Sequence, residues 1–418
     1  MAKSLYIPRF YIEIYLIFFC LPLKILLIRE FAMKAVNSVL GGYGTTVFEL
    51  MSRLAIENNS INLGQGFPDD FGPNMVLEKA SDYLFDIPNQ YPPMLGVPDL
   101  RKAIAAHNKR FYGLDIDWET ETMVSSGATE GLAACFLGLL NPGDEVVVIE
   151  PLYDCYLPMI ERAGGIPKRV SIQPPDWKLN KEALKSAFSP KTKLVLINSP
   201  QNPASKVYNK KELELIAKLI EEHDAIAICD EVYEHMVYDN RKHIPLMTLP
   251  GMRDRSIRIG SAGKTFSLTG WKVGYLTGSE HLLKAVSKAH QFLVFTTAPN
   301  LQRAVADGLN QDDLYFSRLN IDMKAKRDRL SAGLSKVPGF KPIVCQGTYF
   351  LFVDVEGVAF EGNDIQFCEY LTTKAGVTGV PVSAFYNSSL EKKFIRFCFA
   401  KKNSVLDTAV EKLAGHFG

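Results

Sequence analysis

From about residue 122 the chain alternates short apolar runs with stretches whose apolar residues recur at helical spacing. The runs Thr122–Ser126, Glu145–Ile149, Lys193–Asn198, Ala225–Asp230 and Ser256–Ser261 read as strands, while Thr129–Leu140 and Lys210–His223 read as helices. Such alternation predicts an α/β fold with a mostly parallel sheet flanked by helices on both faces. In sheets of this kind ligands gather at the carboxyl ends of the strands. Ser126-Gly127, Asn198, Asp230 and Ser261 all stand at such ends, which marks where a site is expected.

Near Phe295 the texture changes. A polar helical stretch, Asp312 to Ser335, leads into the strand-like runs Gly347–Val355 and Lys393–Phe399. Residues 80–299 are therefore expected to form a large domain. Residues 33–79 and 300–418 are expected to form a small α/β domain from both chain ends. Residues 1–32 match neither part. Ile14 to Leu23 is uncharged, but Lys24 interrupts the run and Pro22 weakens a helix, so it is short against the roughly 20 apolar residues of a membrane span. No small-residue cleavage site follows it. Met33 offers an alternative start, so this leader is expected to lie outside the fold, with a membrane anchor as the competing reading.

Composition narrows the partners. With 47 Lys and Arg against 46 Asp and Glu, the chain has no excess field to recruit nucleic acid or an anionic membrane. Any phosphate site must then be local. The seven cysteines are scattered singly, without a C-x-x-C pair, which favours reduced thiols and a cytoplasmic location over a disulfide framework. The seven histidines show no metal-ligand spacing, so no metal is expected.

The segment Ser261-Ala262-Gly263-Lys264-Thr265-Phe266-Ser267-Leu268-Thr269-Gly270-Trp271-Lys272 places a lysine just after a strand, among small residues. A neutral lysine amine condenses with an aldehyde, and a desolvated or cation-flanked lysine is the more readily neutral. Lys272 and Ser261 suit a phosphate nearby, although a solvated loop with two routine lysines fits this segment equally well. Asp230 follows an apolar strand, where a carboxylate is costly unless it meets a cation. A protonated pyridine nitrogen is such a cation, as in pyridoxal 5′-phosphate (PLP), whose ring must act as an electron sink. Tyr233, three residues on, is within reach of the ring hydroxyl; a helix N-cap is the competing role for Asp230. Gly127-Ala128-Thr129 ends a strand and opens a helix, which makes an anion site of its free N–H groups. Asn198-Ser199-Pro200-Gln201-Asn202-Pro203 reads as a rigid turn that aims Asn202, or simply as an Asn-Pro turn. Arg396 stands alone in an apolar strand, as a fork for a carboxylate or as half of a structural ion pair.

Taken together these segments resemble the PLP-dependent fold-type I aminotransferases of class I/II, and within them the kynurenine/glutamine aminotransferases, also known as cysteine-S-conjugate β-lyases. The matching stretches are NLGQGFPDD from Asn62, NQYPPMLGVPDLR from Asn89, LNPGDEVVVIEPLYDCY from Leu140, NSPQNPASKVY from Asn198, DEVYEHMVY from Asp230, SAGKTFSLTGWKVG from Ser261, GTYF from Gly347 and FIRFCFAKK from Phe394. They run from about residue 36 to the end. The resemblance implies that Lys264 is the Schiff-base and proton-transfer lysine, and that Asp230 pairs with the pyridine nitrogen. It implies that Tyr233 and Asn202 bind the ring oxygen and that Tyr153 stacks on the ring. Gly127, Ala128, Thr129, Ser261 and Lys272 would hold the phosphate. Tyr91 would reach the phosphate of a neighbouring subunit, which implies a homodimer with shared sites. Arg396 would bind the substrate α-carboxylate, with Gly66 lining the pocket and Phe295 entering from the partner.

Two positions depart from the family pattern. Ser205 stands where the Asn-Pro-x-Gly turn has glycine, which puts the turn geometry in question. Thr129 stands where the family often has tyrosine, which weakens any claim on kynurenine. The expected activity is transfer of an amino group between an L-amino acid and a 2-oxo acid by a ping-pong mechanism. The alternatives are β-elimination from cysteine conjugates, and a non-enzymatic PLP-sensing regulator, for which the leader is too short and apolar to be a DNA-binding module.

Overall fold

The computed structural model describes residues 34–387, 390 and 392–418, so the leader of residues 1–32 lies outside the described residues. The central sheet has seven strands: β1 (Thr122–Ser125), β2 (Glu145–Glu150), β3 (Ile166–Ser171), β4 (Thr192–Asn198), β5 (Ile226–Asp230), β6 (Ser256–Ser261) and β7 (Gly274–Gly278). Their order is β1-β7-β6-β5-β4-β2-β3, all parallel except β7, which runs against both its neighbours. The five strands read from apolar runs are present. Two others escape that reading for physical reasons. Pro167, Lys168 and Arg169 interrupt β3, an edge strand that is mostly half-exposed. In β7, two glycines and a threonine leave too few large apolar side chains to form a run.

Helices cover both faces. Lys210–Glu222 is typical: Asn209 and Glu212 close a capping box at its start, and Leu213, Ile216, Ala217, Leu219 and Ile220 face the sheet. Fully burying a leucine or isoleucine of this kind contributes roughly 1.5–3 kcal/mol. The sheet register brings the polar strand ends together. Asn198 lies beside Asp230 on β4 and β5, and Gly274 lies between Ser261 and Ser125.

A second, antiparallel sheet orders Val380–Pro381, Phe394–Cys398, Phe350–Asp354 and Lys341–Pro342. It sets Arg396 opposite both Phe352 and Val380. Ile61–Asn62 pairs with Val377–Thr378, so early and late segments of the chain build this region together. The strand expected over Gly347–Val355 is shorter at its start. Thr348 takes a left-handed φ of 66° and its N–H donates to the Met236 carbonyl instead. No helix among the described residues is long and apolar enough to cross a membrane. Cys135, Cys229, Cys345, Cys368 and Cys398 are buried free thiols.

Spacing along the sequence did not reveal one histidine pair. His107 and His235 meet with their Nε2 atoms 2.8 Å apart, and Glu234 lies close to both. Arg258 and Tyr112 already engage the Glu234 carboxylate. Burial pushes His107 down to about 4 and His235 down to about 3. Both are therefore neutral in the folded protein at neutral pH, whereas the unfolded chain takes up protons below about pH 6.5. The folded state accordingly loses stability as pH falls from about 6.5 toward 4. Scanning calorimetry should show Tm falling over that window, with a shallower fall in His235→Phe; equal slopes in the two proteins would contradict the assignment.

Candidate active site

The carboxyl ends of β4, β5 and β6, the start of the helix Ala128–Leu139, the helix Val47–Glu57 and Arg396 enclose a cavity of about 980 Å³. Every residue expected at the site lines it, except Tyr91 and Phe295.

At one end is an anion cradle. Gly127 caps the helix Ala128–Leu139 with φ 81° and ψ 164°, a conformation that only glycine adopts readily, and the unpaired N–H groups of the first turn follow it. Gly274 packs directly behind. A Cβ there would fall 2.5 Å from the Gly127 carbonyl carbon and 2.7 Å from the Ala128 nitrogen, so β7 approaches this closely only as glycine. Lys272, with φ 55°, brings its Nζ to the same junction, within 3.3 Å of where a Gly127 Cβ would stand. Ser261, at the end of β6, and Thr129, on the first helical turn, complete the cradle. A helix N-terminus, a cation and hydroxyls at one point suit a phosphate.

In the middle of the cavity, Asp230 is buried and, among the described residues, makes no ion pair. The Tyr156 hydroxyl donates to its Oδ2 at 2.6 Å, and Asn198 Nδ2 holds its backbone carbonyl at 2.9 Å. Burial pushes its carboxyl up, against that hydrogen bond and Lys264. The carboxylate therefore gains by meeting a cation here. Asn198 Oδ1 also accepts from the Asn202 N–H at 2.6 Å, which ties the Asn202 turn to the same strand end. Ser205 adopts φ 60° in the place of the family's glycine. Its hydroxyl donates to the Phe350 carbonyl at 2.6 Å, so the turn keeps the left-handed conformation despite the side chain.

Lys264 lies in the short helix Ala262–Thr265, and its Nζ donates to the Tyr349 hydroxyl at 3.0 Å. That hydroxyl donates in turn to the Gly66 carbonyl at 2.6 Å. The Tyr233 ring meets Tyr349 edge-on, with centroids 5.1 Å apart. Tyr153 lines the wall beside Tyr156.

At the far end, Arg396 is buried among the rings of Phe350, Phe48 and Phe385, with its Cζ 3.9 Å from the Phe350 centroid. Nη1 donates to Asn202 Oδ1 at 3.1 Å and Nη2 to the Gly64 carbonyl at 2.9 Å. Nε has no partner, and no carboxylate among the described residues pairs with the guanidinium. Burial lowers it to about 10. A planar fork kept dry and unpaired is built to take a carboxylate.

Tyr91 and Phe295 stand apart from this cavity. They meet edge-on at 5.5 Å on the surface, where Tyr91 is 84% exposed. Tyr156 and Tyr349 were missed as contributors in the sequence. Both lie in the family-like stretches, but their partners are 74 and 85 residues away.

Residues 58–413 match the family model for aminotransferase class I and II, and the chain belongs to that family. It is a PLP-dependent transaminase. It is 41% identical over 383 residues to a probable N-succinyldiaminopimelate aminotransferase of Mycobacterium tuberculosis, covering 89% of this chain and 96% of that protein. To kynurenine–oxoglutarate transaminase 3 of Rattus norvegicus it is 39% identical over 399 residues, covering 88% of each. A crystal structure from Escherichia coli, described as having methionine aminotransferase function, matches at a TM-score of 0.88 and 37% identity, covering 92% of this chain and 100% of that one. These relatives favour transamination over the β-lyase alternative, and the regulator reading is set aside.

The residues present fit PLP: a cradle for its phosphate, an unpaired buried carboxylate for its ring nitrogen, and a lysine amine between them. The Gly274 contact yields a test. Overpacking of this kind costs roughly 1–3 kcal/mol, so Gly274→Ala should weaken PLP retention roughly 5- to 150-fold. Titrating the apoprotein with PLP measures this, and unchanged affinity would refute the cradle.

Proposed function

We propose that this transaminase works through Lys264, Asp230 and Arg396, each with one task. The observation that carries this reading is their convergence on one cavity, each of the two buried charges without an ionic partner. When bound, PLP supplies an aldehyde for the substrate amine and a conjugated ring that draws electrons from the α-carbon. Asp230 keeps a proton on the ring nitrogen by its charge. Gly127, Ala128, Thr129, Ser261 and Lys272 bind the phosphate, Tyr153 stacks on the ring, and Tyr233 and Asn202 hold the ring oxygen. Arg396 orients the substrate α-carboxylate beside Gly66, which turns the α-hydrogen toward Lys264. Lys264 would hold the cofactor through its amine and, once freed, carry the proton from Cα to the cofactor; the Tyr349 hydroxyl, which accepts from that amine, would help to place it. An L-amino acid would leave as its 2-oxo acid, with water supplying the carbonyl oxygen and the amino group staying with the cofactor until a second 2-oxo acid takes it up by the reverse steps.

The relatives named above are described as acting on donors as different as kynurenine and methionine. The small domain is read as residues 33–79 and 300–418 around the large domain of 80–299, a division supported by the Ile61 to Val377 pairing. The protein is read as cytoplasmic, in line with its free thiols. It is read as a homodimer with shared sites. Support comes from Tyr91 and Phe295, which lie outside their own cavity, and from exposed Phe85 and Phe292.

One experiment addresses both the lysine and the shared site. Lys264→Ala should abolish transamination while leaving circular dichroism and Tm near those of the wild type; an active variant would refute the role of Lys264. Tyr91→Phe, once shown to be severely impaired alone, should restore part of the activity when its subunits exchange with those of Lys264→Ala. One site of the mixed dimer then carries neither lesion. Verified exchange without recovery would refute the shared site.

A further inference from the structure

The turn that carries Asp230 and Tyr233 is held from behind by one buried cation. After Asp230 at the end of β5, the Glu234 N–H donates to the Glu231 carbonyl at 2.9 Å, and the Met236 N–H to the Tyr233 carbonyl at 2.8 Å. Asp230 and Tyr233 line the cavity, whereas Glu231 and Glu234 are buried away from it. Arg258, on the adjacent strand β6 opposite Cys229, reaches both glutamates. Its Nε donates to Glu231 Oε2 at 2.7 Å and its Nη2 to Glu234 Oε2 at 3.0 Å. Nη1 donates to Asn108 Oδ1, and the guanidinium lies 4.4 Å from the Tyr112 ring centroid. Tyr112 donates its hydroxyl to Glu234 Oε2 at 2.6 Å, and His243 Nε2 lies 2.9 Å from Glu231 Oε2. Burial would lift the Glu231 carboxyl, but Arg258 and His243 hold it below the ordinary range.

We propose that Arg258 is a positioning residue for transamination: its planar fork bridges Glu231 and Glu234, and thereby fixes where Asp230 and Tyr233 meet the cofactor. This rests on the roles given above to Asp230 and Tyr233. The two bridged residues flank Tyr233, and one of them is the immediate neighbour of Asp230, so the spacing of the turn follows the spacing of the guanidinium nitrogens. A lysine keeps the charge but offers a single point donor in place of a fork. An arginine that served only as buried charge balance would tolerate that exchange.

The test uses holoenzyme carrying Arg258→Lys. Since small misplacements of catalytic groups slow a reaction steeply, kcat should fall roughly 10- to 100-fold. KM for the amino donor, whose carboxylate Arg396 binds on the other lobe, should stay within about twofold. The pH midpoint of the bound cofactor's visible absorbance should move, because Asp230 and Tyr233 both act on the ring. If Arg258→Lys does not fold, the charge-neutral Arg258→Met/Glu231→Gln/Glu234→Gln protein should show the same fall and the same spectral movement. A folded variant with wild-type kcat and an unmoved midpoint, altered only in Tm, would overturn the proposal. Asp230→Asn measured alongside separates the two layers. An unmoved midpoint there overturns the role of Asp230 together with the clamp, whereas movement there and none in Arg258→Lys overturns the clamp alone.

Discussion

Asp230 holds a carboxylate out of water at the end of β5 with the Tyr156 hydroxyl and a long bond from the Val232 N–H to satisfy it, and much of the surrounding structure serves that placement. An isolated buried charge costs several kcal/mol even after the protein relaxes around it. Across the cavity Arg396 poses the opposite problem, a dry guanidinium whose Nε has no partner. The two charges do not collapse onto each other because different sheets hold them, one by the register of β4 with β5 and the other by Phe394–Cys398 against Phe350–Asp354. The cost is offset in apolar cores that run through the central sheet and the second sheet.

The same separation divides the cavity wall between the two sheets. The central sheet supplies the cradle, the carboxylate and the lysine. The second sheet supplies Arg396 and, through Phe350 and the adjoining Tyr349, contacts that lean on Gly66, Ser205 and Lys264. Arg258 extends this organisation behind the sheet, where a network of Glu231, Glu234, Asn108 and Tyr112 backs the Asp230 turn.

How much of this was legible in the sequence depends on the range of each interaction. Strands buried on both faces read directly as Val and Ile runs, and the residues at their carboxyl ends announced the site: Gly127 before a helix, Asp230 after apolar Ala225–Cys229, Lys264 after Ser256–Ser261. Edge strand β3 and glycine-bearing β7 lack such runs. The glycine expected in the Asn202 turn proved replaceable, because Ser205 bonds the Phe350 carbonyl from a position no local pattern reveals. Tyr156, Tyr349 and Arg258 were silent for the same reason. Each acts through partners that only the folded chain brings near, and nothing in a tyrosine or a strand arginine records which partner it will meet.

A buried carboxylate at Asp230 calls for a cation on the bound cofactor to match it. The direct measurement is the nitrogen-15 chemical shift of the pyridine nitrogen, in holoenzyme reconstituted with labelled PLP and followed from neutral into mildly alkaline solution. A protonated nitrogen throughout that range is the predicted result. A shift that moves to the value of neutral pyridine at the pH where free PLP loses that proton would contradict it.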